Sequence, residues 1–266
     1  MSKRIADCSV AEVLPRVSSF KVLGVRVHAV QIPDVVGQMR DWIAERDGCH
    51  FIAVTGMHGV TEAQREPYFK KILNEADLVV PDGMPLVWLG QHYGHPLQRR
   101  VYGPELMQTF CCTTGGQYRH FLYGGIPGVP ELLSARLQDQ SGINVVGKYS
   151  PPFRALTPEE DEEIVDRIHA AKTDILWVGL STPKQERWMY EHRARLRVPV
   201  IVGVGAAFDV HSGRTKQAPS WMRERGLEWS FRLFQEPRRL WRRYLVNGSQ
   251  FVFGVASELL SLRRYD

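Results

Sequence analysis

The sequence predicts a doubly wound α/β fold: a Rossmann-like, mainly parallel sheet with helices on both faces, followed by a basic helical appendage. Three observations carry this. Between residues 20 and 210, short β-rich runs alternate with helical stretches, the order expected of repeated βαβ units. Several runs, ILWVGL (175–180) and VPVIVGVG (198–205) among them, are apolar almost without a break, as strands covered on both faces require. After Gly213 the character changes. Residues 212–266 hold 11 Lys/Arg against 5 Asp/Glu and 9 of the 27 aromatic residues, whereas residues 1–211 hold 23 basic and 24 acidic side chains. The chain accordingly divides into an α/β body at 1–211 and an appendage at 212–266.

In chain order, strands are expected at 20–27, 51–55, 78–81, 120–123, 143–149, 175–179 and 198–204. Helices are expected at 33–46, 58–75, 84–92, 104–114, 128–140, 158–171 and 183–195. Two helix starts are marked by a capping box with proline in the first turn, Thr157-Pro158-Glu159-Glu160 and Thr182-Pro183-Lys184-Gln185. In the appendage, Pro219, Gly226, Pro237 and Gly248 punctuate helical pieces at 218–225, 228–246 and 249–264.

Composition narrows the function class. The chain is 44% apolar and 24% charged, which excludes disordered and fibrous classes. Cys8, Cys49, Cys111 and Cys112 form no CxxC pair, so four reduced thiols in a cytosolic protein are expected, without structural zinc. The first 16 residues contain no apolar core, so no secretory signal is expected. No run reaches the ~20 apolar residues of a membrane span. No HExxH, DxD or His/Asp/Glu cluster suggests a metal, and no GxSxG suggests a serine hydrolase; no metal and no cofactor are expected.

Open α/β sheets bind ligands beyond the carboxyl ends of their strands, and four such ends carry chemistry. Thr55-Gly56-Met57-His58-Gly59 follows the second expected strand, and Pro81-Asp82-Gly83 puts a carboxylate at the end of the third. Asp82 fits a turn or cap, or a general base beside a substrate. Tyr123-Gly124-Gly125-Ile126-Pro127-Gly128 fits a tight turn, or a glycine cradle whose N–H groups meet a phosphate. Gly179-Leu180-Ser181-Thr182-Pro183-Lys184-Gln185-Glu186 places Lys184, Gln185 and Glu186 at a helix start suited to a polar, anionic ligand.

In the appendage, Arg238, Arg239, Arg242 and Arg243 fall within six residues beside Phe234, Trp241 and Tyr244. Such a guanidinium patch suits phosphates of a lipid headgroup, a lipid diphosphate or a nucleic acid. Phe251, Val252, Val255, Leu259 and Leu262 share a helix face, followed by Arg263 and Arg264; that combination favours a membrane interface over a nucleic acid, with core packing as the alternative. The residues by themselves describe an α/β nucleotide-binding enzyme. A dinucleotide oxidoreductase and a non-enzymatic nucleic-acid-binding module are the competing readings, the first weakened by the lack of GxGxxG.

Taken together, the segments ADLVVPDGMPLVW, RVYGPEL, FLYGGIPGVPE, YSPPF, VGLSTPKQERW, VGVGAAFDVHSG and APSWMRERGLEWSFRLFQEPRRLWRRY resemble the WecG/TagA/CpsF glycosyltransferases, family 26, over most of the chain from about Phe20 to Tyr244. The resemblance implies a metal-independent, inverting transfer of a hexose from a UDP-sugar to a polyprenyl-diphosphate-linked saccharide in bacterial surface polysaccharide synthesis. It implies Asp82 as general base, Arg100 or the adjacent Arg99 as the active-site arginine, Thr55 as the threonine of the family's first strand-end motif and Gln185 as its donor-binding glutamine, while Gly83, by its lack of a side chain, allows the substrate close approach. It further implies that Arg232, Arg238, Arg239, Arg242 and Arg243 meet a lipid-borne diphosphate at an anionic membrane surface. The family's T-x-N motif is not kept: Met57 stands at the Asn position, and His58 is a candidate replacement. The donor type is N-acetylmannosamine, N-acetylmannosaminuronate or glucose. The expected location is the inner face of the plasma membrane, peripherally bound, with a homo-oligomer masking the appendage before docking.

Overall fold

The computed structural model describes residues 17–261, apart from the side chains of Ser220, Glu224, Arg239 and Arg243. The strand expected at 20–27 is instead an antiparallel hairpin, β1 (Ser19–Val22) and β2 (Val25–His28). The chain reverses at Leu23 and Gly24, both with positive φ (51° and 75°), the backbone that a two-residue hairpin turn demands. The hairpin stays out of the main sheet and is pinned to it by the Val79 N–H, which donates to His28 Nδ1 at 2.9 Å.

The main sheet has six strands, β3 (His50–Thr55), β4 (Leu78–Pro81), β5 (Arg119–Gly124), β6 (Asn144–Tyr149), β7 (Ile175–Gly179) and β8 (Val200–Gly203), all parallel in the order β4-β3-β8-β7-β5-β6. These match the expected strands to within a residue or two at their ends. The body's helices are α1 (Ile32–Glu45), α2 (Met57–Arg65), α3 (Pro67–Asn74), α4 (Met84–His92), α5 (Gly103–Thr114), α6 (Val129–Ser141), α7 (Pro158–Ala170), α8 (Lys184–His192) and α9 (Ala207–His211). The single helix expected at 58–75 breaks at Glu66, whose extended backbone precedes Pro67, because the proline ring excludes helical geometry from the residue before it.

Helices cover both faces. Ile175 and Trp177 of β7 enter one apolar layer with Met39 of α1, Phe110 of α5 and Phe208 of α9. Leu176 and Val178 enter the other with Phe69 of α3, Ile168 of α7 and Met189 of α8. Period-two alternation in a two-sided sheet thus accounts for the unbroken apolar run.

Beyond β8 the chain continues through α10 (Ser220–Glu224), α11 (Glu228–Gln235), α12 (Pro237–Trp241), a π-turn at Arg242–Val246 and α13 (Asn247–Leu259). α13 lies on α2. Asn247 Nδ2 donates to His58 Nδ1 (2.8 Å) and Glu62 Oε1 (3.0 Å), and Arg65 Nη2 donates to Asn247 Oδ1 (2.8 Å). The apolar stripe expected on this helix splits. Phe251 is buried in the core and Val255 packs against it, while Val252, Phe253 and Leu259 face solvent. Leu262, Arg263 and Arg264 lie outside the described residues, as does Cys8.

Candidate active site

The sheet order gathers the carboxyl ends of β3, β4 and β8 side by side. β4 stops at Pro81, and Asp82 follows with its N–H donating to Thr55 O of β3 at 2.9 Å. Pro81 O accepts from the Val101 N–H at 2.8 Å. That bond draws the segment before α5 onto the β4 end and sets Arg100 near Asp82. Gly83 has φ +130°, reachable only without a side chain, and starts α4 at once.

Arg100 is largely buried, its Cζ 4.2 Å from the centre of the Tyr102 ring, and its Nη2 donates to the Glu228 carboxylate of α11. Burial opposes the guanidinium charge, but Asp82 and Glu228 outweigh it and hold the pKa above the ordinary arginine range. Arg232, one turn further along α11, is raised in the same way: burial opposes, while Tyr244, Tyr102, Glu228 and Asp82 favour the charge. Burial foremost, then Glu228, pushes the Tyr102 hydroxyl far up, so it stays protonated. Asp82, Arg100, Tyr102, Glu228 and Arg232 therefore form one electrostatic cluster. It combines two guanidinium groups with carboxylates at a strand end.

A second cluster sits beside it, where β3, β7 and β8 end. Thr55, Gln185 and Glu186 are buried. The capping box expected at Thr182 does not form: the Thr182–Pro183 peptide is cis, Pro183 is the cap, and α8 starts at Lys184. The Thr182 hydroxyl donates to Glu186 Oε1 at 2.8 Å, and Gln185 Nε2 donates to the same oxygen at 3.0 Å. The Thr157 box does form, with the Glu160 N–H donating to Thr157 Oγ1. Thr55 Oγ1 and Gln185 Oε1 are left without a hydrogen-bond partner among the described residues. A buried polar atom without a partner costs about 1–3 kcal/mol, so these two oxygens mark where a polar ligand would be held. Lys184 is exposed at the helix start.

The remaining expected residues are placed as follows. Gly124 (φ +134°) passes so close to Gly179 that a Cβ would meet its carbonyl oxygen at 2.5 Å, and the Gly125 N–H donates to Gly179 O at 3.1 Å. Both glycines thus serve the tight packing of the β5–α6 turn on β7. His58 presents Nδ1 to Asn247 of α13. Of the appendage arginines, Arg232 reaches the Asp82 cluster. Arg238 and Arg242 are exposed, with Arg242 Cζ 5.3 Å from the Trp241 ring centre. The side chains of Arg239 and Arg243 lie outside the described residues. Exposed Arg99 pairs with Glu105 at 3.5 Å, which leaves Arg100 as the arginine of the cluster.

Tyr102 and Glu228 were not among the residues expected from sequence, although both lie in flagged segments, RVYGPEL and RERGLEW. The fold brings the two together across 126 residues of sequence, a proximity that neither segment displays by itself.

The sequence profile of the glycosyl transferase WecG/TagA/CpsF family matches residues 20–265. An N-acetylglucosaminyldiphosphoundecaprenol N-acetyl-beta-D-mannosaminyltransferase of Bacillus spizizenii is 34% identical over 186 residues, covering 69% of this chain and 70% of that protein.

Proposed function

This chain belongs to the WecG/TagA/CpsF family of glycosyl transferases, and on that premise we propose that it transfers a hexosyl group from a UDP-sugar to a polyprenyl-diphosphate-linked saccharide, with inversion and without a metal ion. The relative's name favours N-acetylmannosamine as the sugar and an N-acetylglucosaminyl lipid diphosphate as acceptor.

The observation that carries the reading is Asp82, fixed at the end of β4 in the fields of Arg100 and Arg232. In the proposed reaction the Asp82 carboxylate accepts the proton of an acceptor hydroxyl as its oxygen bonds to the anomeric carbon. The bond from that carbon to the UDP oxygen breaks on the opposite face, and its electron pair leaves with the diphosphate. Arg100 would take up that charge, the role a metal ion fills elsewhere. Thr55 and Gln185 would satisfy their open oxygens with hydroxyl or N–H donors of the sugar. Arg232 would meet the lipid diphosphate.

The same reading gives the outer surface a task. Phe234, Trp241 and Leu245 are exposed beside Arg238 and Arg242, a mixture suited to anionic headgroups. Among the described residues no helix is long and apolar enough to cross a membrane, so attachment would be at the surface.

The test is a UDP-release assay with UDP-N-acetylmannosamine, other UDP-hexoses and a short-chain N-acetylglucosaminyl polyprenyl diphosphate, in the presence of EDTA. Release should require both substrates, and NMR should show an inverted anomeric centre. A retained configuration, or activity lost to EDTA and restored by Mg²⁺, would contradict the mechanism.

A further inference from the structure

Glu228 has no part in the reaction as described so far. It opens α11, is 5% exposed, and accepts from Arg100 Nη2. A buried carboxylate is unfavourable unless its partner is well placed, and an apolar side chain would seat α11 without that cost. The groups whose charges meet here are Asp82 after β4, Arg100 and Tyr102 before α5, Glu228 and Arg232 on α11, and Tyr244 in the π-turn. Arg100 is thus shared between two carboxylates, only one of which is proposed to react.

We propose that Glu228 is a positioning residue: it holds the Arg100 guanidinium over the Tyr102 ring and balances part of its charge, so that Arg100 does not bear on Asp82 alone and Asp82 keeps its strength as a base. This rests on the reading of Asp82 as base. The appendage then contributes a part of the active site that never touches substrate. When α11 is seated, Arg100 faces the leaving diphosphate with its charge partly balanced. Without Glu228, that charge would fall on Asp82 alone and make it a weaker base.

The test compares full-length E228Q, E228D and D82N. E228Q keeps the shape and removes the charge. It should lower kcat roughly 10- to 100-fold, leave the donor KM within about twofold, and move the acid limb of the kcat profile to lower pH by roughly 0.5–1 unit. The direction follows from removing a negative charge near Asp82, which makes its carboxylate harder to protonate. E228D keeps the charge at shorter reach, so its acid limb should stay in place while kcat falls. An unshifted acid limb in E228Q, or loss confined to KM, would reduce Glu228 to a structural residue and overturn the proposal. Should E228Q not fold, E228D decides, because an unchanged kcat there overturns it too. If D82N turns over normally, the base assignment fails and this proposal with it. With D82N inactive and E228Q indistinguishable from wild type, only the role of Glu228 is lost.

Discussion

The backbone of Asp82 lies directly against Gly56: a Cβ at residue 56 would overlap the Asp82 carbonyl oxygen, and the Asp82 N–H is tied to the neighbouring Thr55. The position of the proposed base is therefore set by the missing side chain of another residue. Gly56→Ala should push the β4 end away from β3 at a cost of about 1–3 kcal/mol. It should also lower kcat by roughly 100-fold through misplacement of the carboxylate. Urea unfolding and transfer assays check both. An alanine variant with wild-type stability and turnover would show that the contact relaxes without consequence.

Asp82→Asn removes the proton acceptor with little change of shape. Transfer should fall roughly 10²- to 10⁴-fold, while UDP-sugar binding by calorimetry stays close to wild type. Loss of binding in step with turnover would make Asp82 a donor ligand instead of a base.

Arg238 and Arg242 are exposed on the outer surface beside Phe234, Trp241 and Leu245, so their contribution should be separable from chemistry. Replacing both with alanine should weaken binding to phosphatidylglycerol vesicles by about 2 kcal/mol, or about 30-fold. Turnover of a soluble short-chain acceptor should be unchanged. Flotation of wild type and variant together would expose an error if the two remain equally bound.

Stability should fall on mild acidification for a reason that lies away from the site. Burial, aided by Arg26, lowers the pKa of His28 to about 4, and burial lowers that of His120 to about 4. Each uses Nδ1 as an acceptor, from Val79 N–H and Trp177 Nε1 respectively. Below about pH 6.5 the unfolded chain takes up protons that the folded one refuses. The stabilising effect of the neutral rings is whole above that pH and is lost as pH falls toward about 4. The loss is on the order of 2–3 kcal/mol for each ring. Paired carboxylates such as Asp174, whose pKa is lowered despite burial by Arg119 and Arg46, weaken only further down. Urea midpoints that are flat from pH 7 to 4.5 would contradict this assignment.

The strands of the main sheet could be read from sequence because two-sided burial demands long apolar runs, and ILWVG displays both faces at once. The hairpin was hidden. Residues 20–27 look like one strand because the reversal at Leu23-Gly24 uses a leucine in left-handed geometry, which no turn rule anticipates. Asp82 and Gln185 stood out as polar residues at strand ends. Glu228 did not, since a lone glutamate on an amphipathic helix looks like a solvated one until the fold turns it inward. The Thr182 capping box misled because the local string is right for a cap, while a buried glutamate one turn on competes for the hydroxyl.

The last strand to be made, β8, sits in the middle of the sheet, between β3 and β7. Until residue 203 has left the ribosome, the two-strand piece β4-β3 and the three-strand piece β7-β5-β6 each present an unsatisfied inner edge and share no backbone pairing. Between the completion of β7 at residue 179 and of β8 at residue 203 a nascent chain is therefore two open half-sheets, and their joining is a single late insertion of four residues. Such edges are the kind that pair wrongly with other chains. Fragments ending ahead of β8 should accumulate as aggregates, whatever their local helix content.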